Sequence, residues 1–186
     1  MRLFIAIKIP PRVESALGKL INELRAVPSP ARWVRPESTH ITLKFLGDVE
    51  AAQQKQLYEA LEQIASRSQP FELSTGTGGA FPNLKNPAVL WIGLDGAGLT
   101  SLKQLQNGIE TTCYDVGFPR EKRRYNPHLT LCRIKGQQNL QQLLQTFQNM
   151  SLQRFLIPVD EIHLMQSKLS PKGAVYSVVE SFSLNS

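Results

Sequence analysis

Arg123-Arg124-Tyr125-Asn126-Pro127-His128-Leu129-Thr130-Leu131-Cys132 and, earlier, His40-Ile41-Thr42-Leu43-Lys44-Phe45 are the stretches that decide how this chain folds. Both alternate polar and apolar residues, the period of a strand with one buried face. His128 and Thr130 then share one face, and Leu129 and Leu131 point to a core. In the earlier stretch His40, Thr42 and Lys44 share a face, and Ile41, Leu43 and Phe45 oppose it. The motifs lie 128 − 40 = 88 positions apart, near half of the 186-residue chain. Each is followed by a glycine and then a helical pattern. The spacing predicts a diverged internal duplication: two similar lobes facing each other across a cleft, with one His-x-Thr strand in each.

Outward from these strands, the chain alternates from Arg2 to Ile9. Pro10-Pro11 ends that strand and opens a helix striped by Val13, Ala16, Leu17, Leu20, Ile21 and Leu24. Asp48 is placed to cap a second helix, striped by Leu57, Ala60, Leu61, Ile64 and Ala65. Thr75-Gly76-Thr77-Gly78-Gly79 lacks the Gly-Lys-Ser/Thr ending of a phosphate-binding loop, so it reads as a bulge or turn in a sheet. Phe81-Pro82-Asn83 and Asn86-Pro87 flank a hairpin loop before a strand at Ala88 to Leu94. Thr100 or Ser101 is placed to cap a third helix carrying Leu102, Leu105, Ile109 and Cys113, closed by Gly117 and Pro119. A basic loop, Arg120 to Arg124, leads to the second motif. Leu140, Leu143, Leu144 and Phe147 mark a fourth helix. Strands at about 153–165 and 174–183 follow, joined by a Ser170-Pro171-Lys172-Gly173 turn. Hairpin-length connections among the strands predict α+β, with antiparallel sheets and flanking helices, over a parallel sheet. No long linker separates the lobes, so residues 1–186 are expected to form one domain.

Composition narrows the function classes. A net charge of +6 and a pI of about 9.5 favour an anionic partner. Two cysteines, Cys113 and Cys132, give neither a disulfide framework nor metal-ligand spacing. No apolar run approaches the roughly 20 residues of a membrane span, and the apolar start is too short for a secretory signal. A cytoplasmic protein without membrane attachment is expected, monomeric and without an obligate protein partner.

The paired motif carries the chemistry. With nine threonines in 186 residues, a given His has Thr two places on by chance in roughly 5% of shuffles, and two of the three histidines do so in under about 1%. A lone strand histidine is more often structural. His163, in Glu161-Ile162-His163-Leu164-Met165 without a following Thr, is read that way. Two imidazoles titrate near neutrality and supply a general base and a general acid. Set on opposite sides of a phosphorus, they suit an in-line displacement. Thr42 and Thr130 can donate to non-bridging oxygens, where negative charge grows in the transition state. No carboxylate cluster, His-Glu-x-x-His or Cys pair accompanies them, so no metal and no cofactor is expected.

These motifs, with Arg32-Trp33-Val34-Arg35-Pro36-Glu37 before His40 and Lys44-Phe45-Leu46-Gly47 after Leu43, resemble the two-histidine (2H) phosphoesterases. Within them the chain is similar to the LigT/ThpR-like RNA 2′,3′-cyclic phosphodiesterases of bacteria and archaea. Arg2 to Ile7, Phe81-Pro82-Asn83, Asn126 to Leu131 and Leu164 to Tyr176 extend the resemblance over nearly the whole chain. Cys132-Arg133 departs from the small or apolar-then-Arg pattern of the family. The resemblance implies a bilobal pseudo-twofold fold with both histidines in the cleft. It implies hydrolysis of RNA 2′,3′-cyclic phosphate ends to 2′-phosphomonoesters, and, in some relatives, 2′–5′ RNA ligation. It assigns His40 as proton donor and His128 as proton acceptor, whereas the near-symmetric motifs alone leave that choice open. The rival readings are a non-catalytic RNA-end or nucleotide-binding module, and a phosphodiesterase for small cyclic nucleotides or ADP-ribose cyclic phosphate. Among secondary candidates, Lys44 would help neutralise phosphate. Arg123, Arg124 and Arg133 are candidate backbone contacts. Phe81 is a base-stacking candidate. Phe45, Trp33 and Trp91 are assigned to the core.

Overall fold

Burial on both faces makes the first strand central. β1 (Arg2–Lys8) is buried from Leu3 to Ile7 and lies between two antiparallel partners. The computed structural model describes residues 1–151, 153–171 and 173–185. After β1 come α1 (Pro11–Arg25), β2 (Ala31–Trp33), a 3₁₀ turn (Pro36–Ser38), β3 (His40–Asp48) and α2 (Ala51–Ser66). Next are β4 (Phe71–Phe81), β5 (Val89–Asp95), α3 (Leu99–Asp115), β6 (His128–Ile134) and α4 (Leu140–Asn149). β7 (Leu156–Val159), β8 (Glu161–Ser170) and β9 (Gly173–Ser183) complete the series.

Two antiparallel sheets result, ordered β3-β1-β8-β9 and β2-β6-β5-β4-β7. This is the expected two-lobed α+β fold, with one His-x-Thr strand in each sheet. The series β1-α1-β3-α2-β4 is repeated in order by β5-α3-β6-α4-β8. Each element of the second series starts 87 to 90 positions after its counterpart (89 − 2, 99 − 11, 128 − 40, 140 − 51, 161 − 71). The last strand of each series crosses over: β4 pairs with β5, and β8 pairs with β1. Each sheet is therefore built from both halves of the chain. α2 and α3 pack together, with α3 against β3, while α1 and α4 pack together, and Phe147 of α4 presses on Gly78 of the other sheet. The inward positions of the two motifs match: Ile41, Leu129 and Leu131 are fully buried and Leu43 nearly so, each contributing about 1.5–3 kcal/mol by leaving water.

Three local expectations are corrected. Glu50, not Asp48, caps α2, in a reciprocal capping box with Gln53. Gly98 stands at the cap of α3, two to three residues before the expected Thr100 or Ser101. A Cβ at Gly98 would collide with the Glu72 carbonyl, so the residue lets the helix start against β4. The expected strand at about 153–165 is two strands, β7 and β8, which separate at Asp160 and join different sheets. In the expected turn after β8, Ser170 pairs with Gly173, and Lys172 lies outside the described residues. The glycine-rich stretch does hold a register shift, between Thr75 and Gly78.

Candidate active site

β3 and β6 run beside each other where the sheets meet, and each carries a bulge at the same place. Ala6 pairs with Thr42 but Ile5 with Lys44, leaving Leu43 as the extra residue. Trp91 pairs with Thr130 but Leu90 with Cys132, leaving Leu131 extra. A bulge of this kind shifts the side-chain alternation by one. The burial sequence is accordingly identical over the first six residues of both strands: half-buried, buried, half-buried, buried, buried, exposed. The His and Thr keep the site face. The next two residues turn inward, and Phe45 and Arg133 return to the site face.

This corrects two expectations. Lys44 does not share the face of His40. It is buried, with Nζ 2.7 Å from Glu110 Oε2 and donating to the Pro119 carbonyl at 2.8 Å. Phe45 is not core: it is 69% exposed, with its ring centroid 6.0 Å from that of Phe4. A strictly alternating strand cannot place either residue so.

Both histidines are half-buried and held alike. His40 Nδ1 is 2.8 Å from the Ser38 carbonyl, and His128 Nδ1 is 2.7 Å from the Asn126 carbonyl. A carbonyl only accepts, so each Nδ1 carries the proton and each Nε2 is the nitrogen left open to accept one. Burial pulls both pKa values below 6.5, opposed by the carbonyl bonds. The charge of His128 lowers His40 further, and that of Arg133 lowers His128. The rings sit in aromatic surroundings that no local pattern in the sequence announces. Phe4 and Tyr176 lie 4.9 and 5.1 Å from His40, and Phe81 and Trp91 lie 4.8 and 6.1 Å from His128, between centroids. Trp91, expected in the core, lies on this face over Gly79, where a Cβ would collide with the indole. Trp33 packs against the core as expected. The Tyr125 hydroxyl donates to the Thr42 carbonyl at 3.2 Å, tying the approach to β6 onto β3.

The LigT like Phosphoesterase family matches the chain twice, over residues 7–91 and 92–176. This chain belongs to that family. An RNA 2′,3′-cyclic phosphodiesterase of Methanothermobacter thermautotrophicus is 30% identical over 187 residues, covering 99% of each chain. One from Archaeoglobus fulgidus is 33% identical over 183 residues, covering 98% of this chain and 99% of the relative. The crystal structure of TT0787 of Thermus thermophilus superposes with a TM-score of 0.81 at 27% identity, covering 99% of this chain and 98% of the other.

The remaining candidates of this LigT-like phosphoesterase divide by position. Phe81 touches His128 edge-on. Arg133 is exposed on the site face. Arg124 is exposed on the loop before β6, making no hydrogen bond or ion pair with a described residue. Arg123 is bound by Glu121 at 2.9 Å, which holds that carboxyl down at about 2. His163 shares a row with Ala6 and Thr42 across the sheet. Both its nitrogens are engaged, Nδ1 3.0 Å from Ser181 Oγ and Nε2 3.4 Å from Glu161 Oε1. Cys132 is no nucleophile, since burial pushes its thiol up to about 12. Among the described residues no group of three His, Cys, Asp or Glu could hold a metal. No helix among them is long and apolar enough to cross a membrane. A surface pocket of about 440 Å³, lined by Phe71, Ser74, Gly98 and Arg154, lies away from both histidines.

Proposed function

We propose that this chain hydrolyses RNA 2′,3′-cyclic phosphate ends to 2′-phosphomonoesters, with His40 as proton donor, His128 as proton acceptor, and Thr42 and Thr130 holding the phosphoryl oxygens. The activity is that named for the relatives above. The observation that carries the mechanism is the matched pair of imidazoles, each with Nδ1–H spent on a backbone carbonyl two residues earlier. Water attacks phosphorus as His128 Nε2 takes its proton. The P–O3′ bond breaks, and O3′ takes the proton of His40 Nε2. The Thr hydroxyls donate to the non-bridging oxygens, where charge builds. With both pKa values lowered, the free site favours neutral rings; an anionic phosphate between them favours one proton on the pair. The assay is conversion of an oligoribonucleotide ending in a 2′,3′-cyclic phosphate, with EDTA present and product identified. A 2′-phosphate is expected. No conversion at any pH from 5 to 9 overturns the reading, and a 3′-phosphate overturns the assignment of the leaving oxygen.

A further inference from the structure

Sideways from β3, the site face continues over β1, β8 and β9 of the same sheet. Phe45 stands opposite Phe4, Phe4 opposite Met165, and Met165 opposite Val178. Directly paired residues point to the same side, so one apolar row crosses all four strands. It lies beside the row that runs from Thr42 through Ala6 to His163. Phe4, Ala6 and Met165 form a small cluster with Tyr176, separate from the main core. The middle of the apolar row is buried, and its ends, Phe45 and Val178, are exposed.

A single exposed apolar side chain needs no explanation. A row that ends in an open phenyl ring beside a reactive site marks a contact surface. Phe4 and Tyr176 offer no open ring there. Phe4 is buried, and Tyr176 stands edge-on to Phe4 at 5.2 Å and to His40 at 5.1 Å. Phe4 links the other two rings, 4.9 Å from His40 and 6.0 Å from Phe45. Phe45 is tilted 42° from Phe4 and is the open aromatic of the group. β6 carries no Phe, Tyr or Trp, so the His128 strand has no counterpart to it.

We propose that Phe45 is a stacking platform for the nucleobase one position upstream of the cyclic phosphate, so that this chain grips an RNA strand and not only its terminal nucleotide. The proposal rests on the proposed function for the identity of the substrate. In that reaction water enters from the His128 side and O3′ leaves toward His40, which brings the ribose and the strand behind it over the sheet of His40. Phe45 lies three residues beyond Thr42, roughly 7–10 Å along the strand. It is therefore beside the reacting phosphate and not on it, where the next nucleotide comes. Every base has a π-face, so such a platform accepts any sequence, and the net charge of +6 favours the polyanion that carries the base.

Binding tests the platform without turnover. The first probe is the dinucleotide ApA bearing a terminal 2′-phosphate. The second is the same molecule with an abasic upstream ribose. The two have equal charge and the same terminal nucleotide, so only the upstream base separates them. The intact probe is expected to bind at least about fivefold tighter, by a ratio that salt leaves unchanged. Phe45→Leu should remove most of that ratio, and Phe45→Trp should keep or raise it. Equal binding of the two probes overturns the platform, as do binding of neither and a ratio that survives Phe45→Leu. So does Phe45→Leu weakening both probes alike, which would put Phe45 on the terminal nucleotide. Sedimentation of the native chain as a dimer that Phe45→Leu makes monomeric would assign the ring to a second copy of the chain and overturn it too. Failure to hydrolyse a cyclic phosphate end, with the base-dependent ratio intact, would sink the proposed reaction and leave the platform standing. Hydrolysis without that ratio would sink the platform alone.

Discussion

Phe45 and Arg133 stand at the same place on two matched strands, and Lys44 and Cys132 at the place before them. Up to Leu43 and Leu131 the halves are nearly interchangeable: a histidine on a backbone carbonyl, a threonine on the same face, and a bulge one residue later. Past the bulge they part. The His40 half turns a charged lysine inward and an aromatic outward. The His128 half turns a cysteine inward and an arginine outward. A further contrast explains the lysine. β2 flanks β6 as a hydrogen-bonded strand. The matching segment 88 residues on, Pro119 to Glu121, flanks β3 without a ladder. It is held there by Lys44 on the Pro119 carbonyl and by Glu110 Oε2, which accepts the Glu121 N–H at 3.1 Å. One half uses main-chain pairing where the other uses a buried ion pair. The duplicated part is what the proposed proton transfers need twice; the divergent part is where the surfaces beside the two histidines differ.

The sharpest attempt to break the comparison is at the shared positions. His40→Ala and His128→Ala should each lower kcat by about 10²–10⁴-fold with the fold intact by circular dichroism. Thr42→Val and Thr130→Val should follow at roughly 10–100-fold, below the upper range for a lost oxyanion donor because the partner hydroxyl remains. A tenfold inequality within either pair would show that the halves are not functional equivalents.

The next test is at the divergent inward pair. Lys44→Ala leaves the Glu110 carboxylate buried and unpaired, so about 3–5 kcal/mol of stability should be lost in urea unfolding. Cys132→Ala removes one buried sulfur and should cost about 1–2 kcal/mol, less than a full large-to-small core truncation. Equal losses would mean that the ion pair does not hold the Pro119 to Glu121 segment.

The smallest expected effect is on pH. The unfolded chain protonates His40 and His128 near 6.5, whereas burial holds both lower in the folded chain. The unfolded state therefore binds more protons below 6.5, and stability there decreases as pH decreases. It is fully present above 6.5 and is lost as pH drops through the folded-state values. Replacing either histidine with Asn should flatten this slope. An unchanged slope in both variants would refute the burial account of the two rings.

How much of this is legible in the sequence follows from what sets each feature. The strands, helices and pairing of motifs show in periodicity and in the 88-residue offset, because burial of one face dictates both. Lys44 and Phe45 escape a strand-by-strand reading because a bulge depends on the ladder between two strands, and neither strand alone contains it. The second motif carries a hint, since Leu131-Cys132 sets two apolar residues in succession where alternation requires one. Trp91 reads as core by composition; only Gly79 across the ladder gives its ring a place on the site face. The split at Asp160 is hidden because β7 and β8 are each strand-like, and their destinations are set by distant parts of the chain.

Those destinations affect how the molecule comes into being. During synthesis the residues of β3, including His40, emerge early, and β1 is already there to pair with it. The strand that closes the other side of β1 is β8, which pairs through Gln166. A growing chain carries both histidines long before it has the sheet that positions the first. The pairing of β8 along β1 is complete only once Gln166 has been joined, 38 residues after His128 (166 − 128). A shorter nascent chain holds both motif strands without the complete four-stranded sheet around the first.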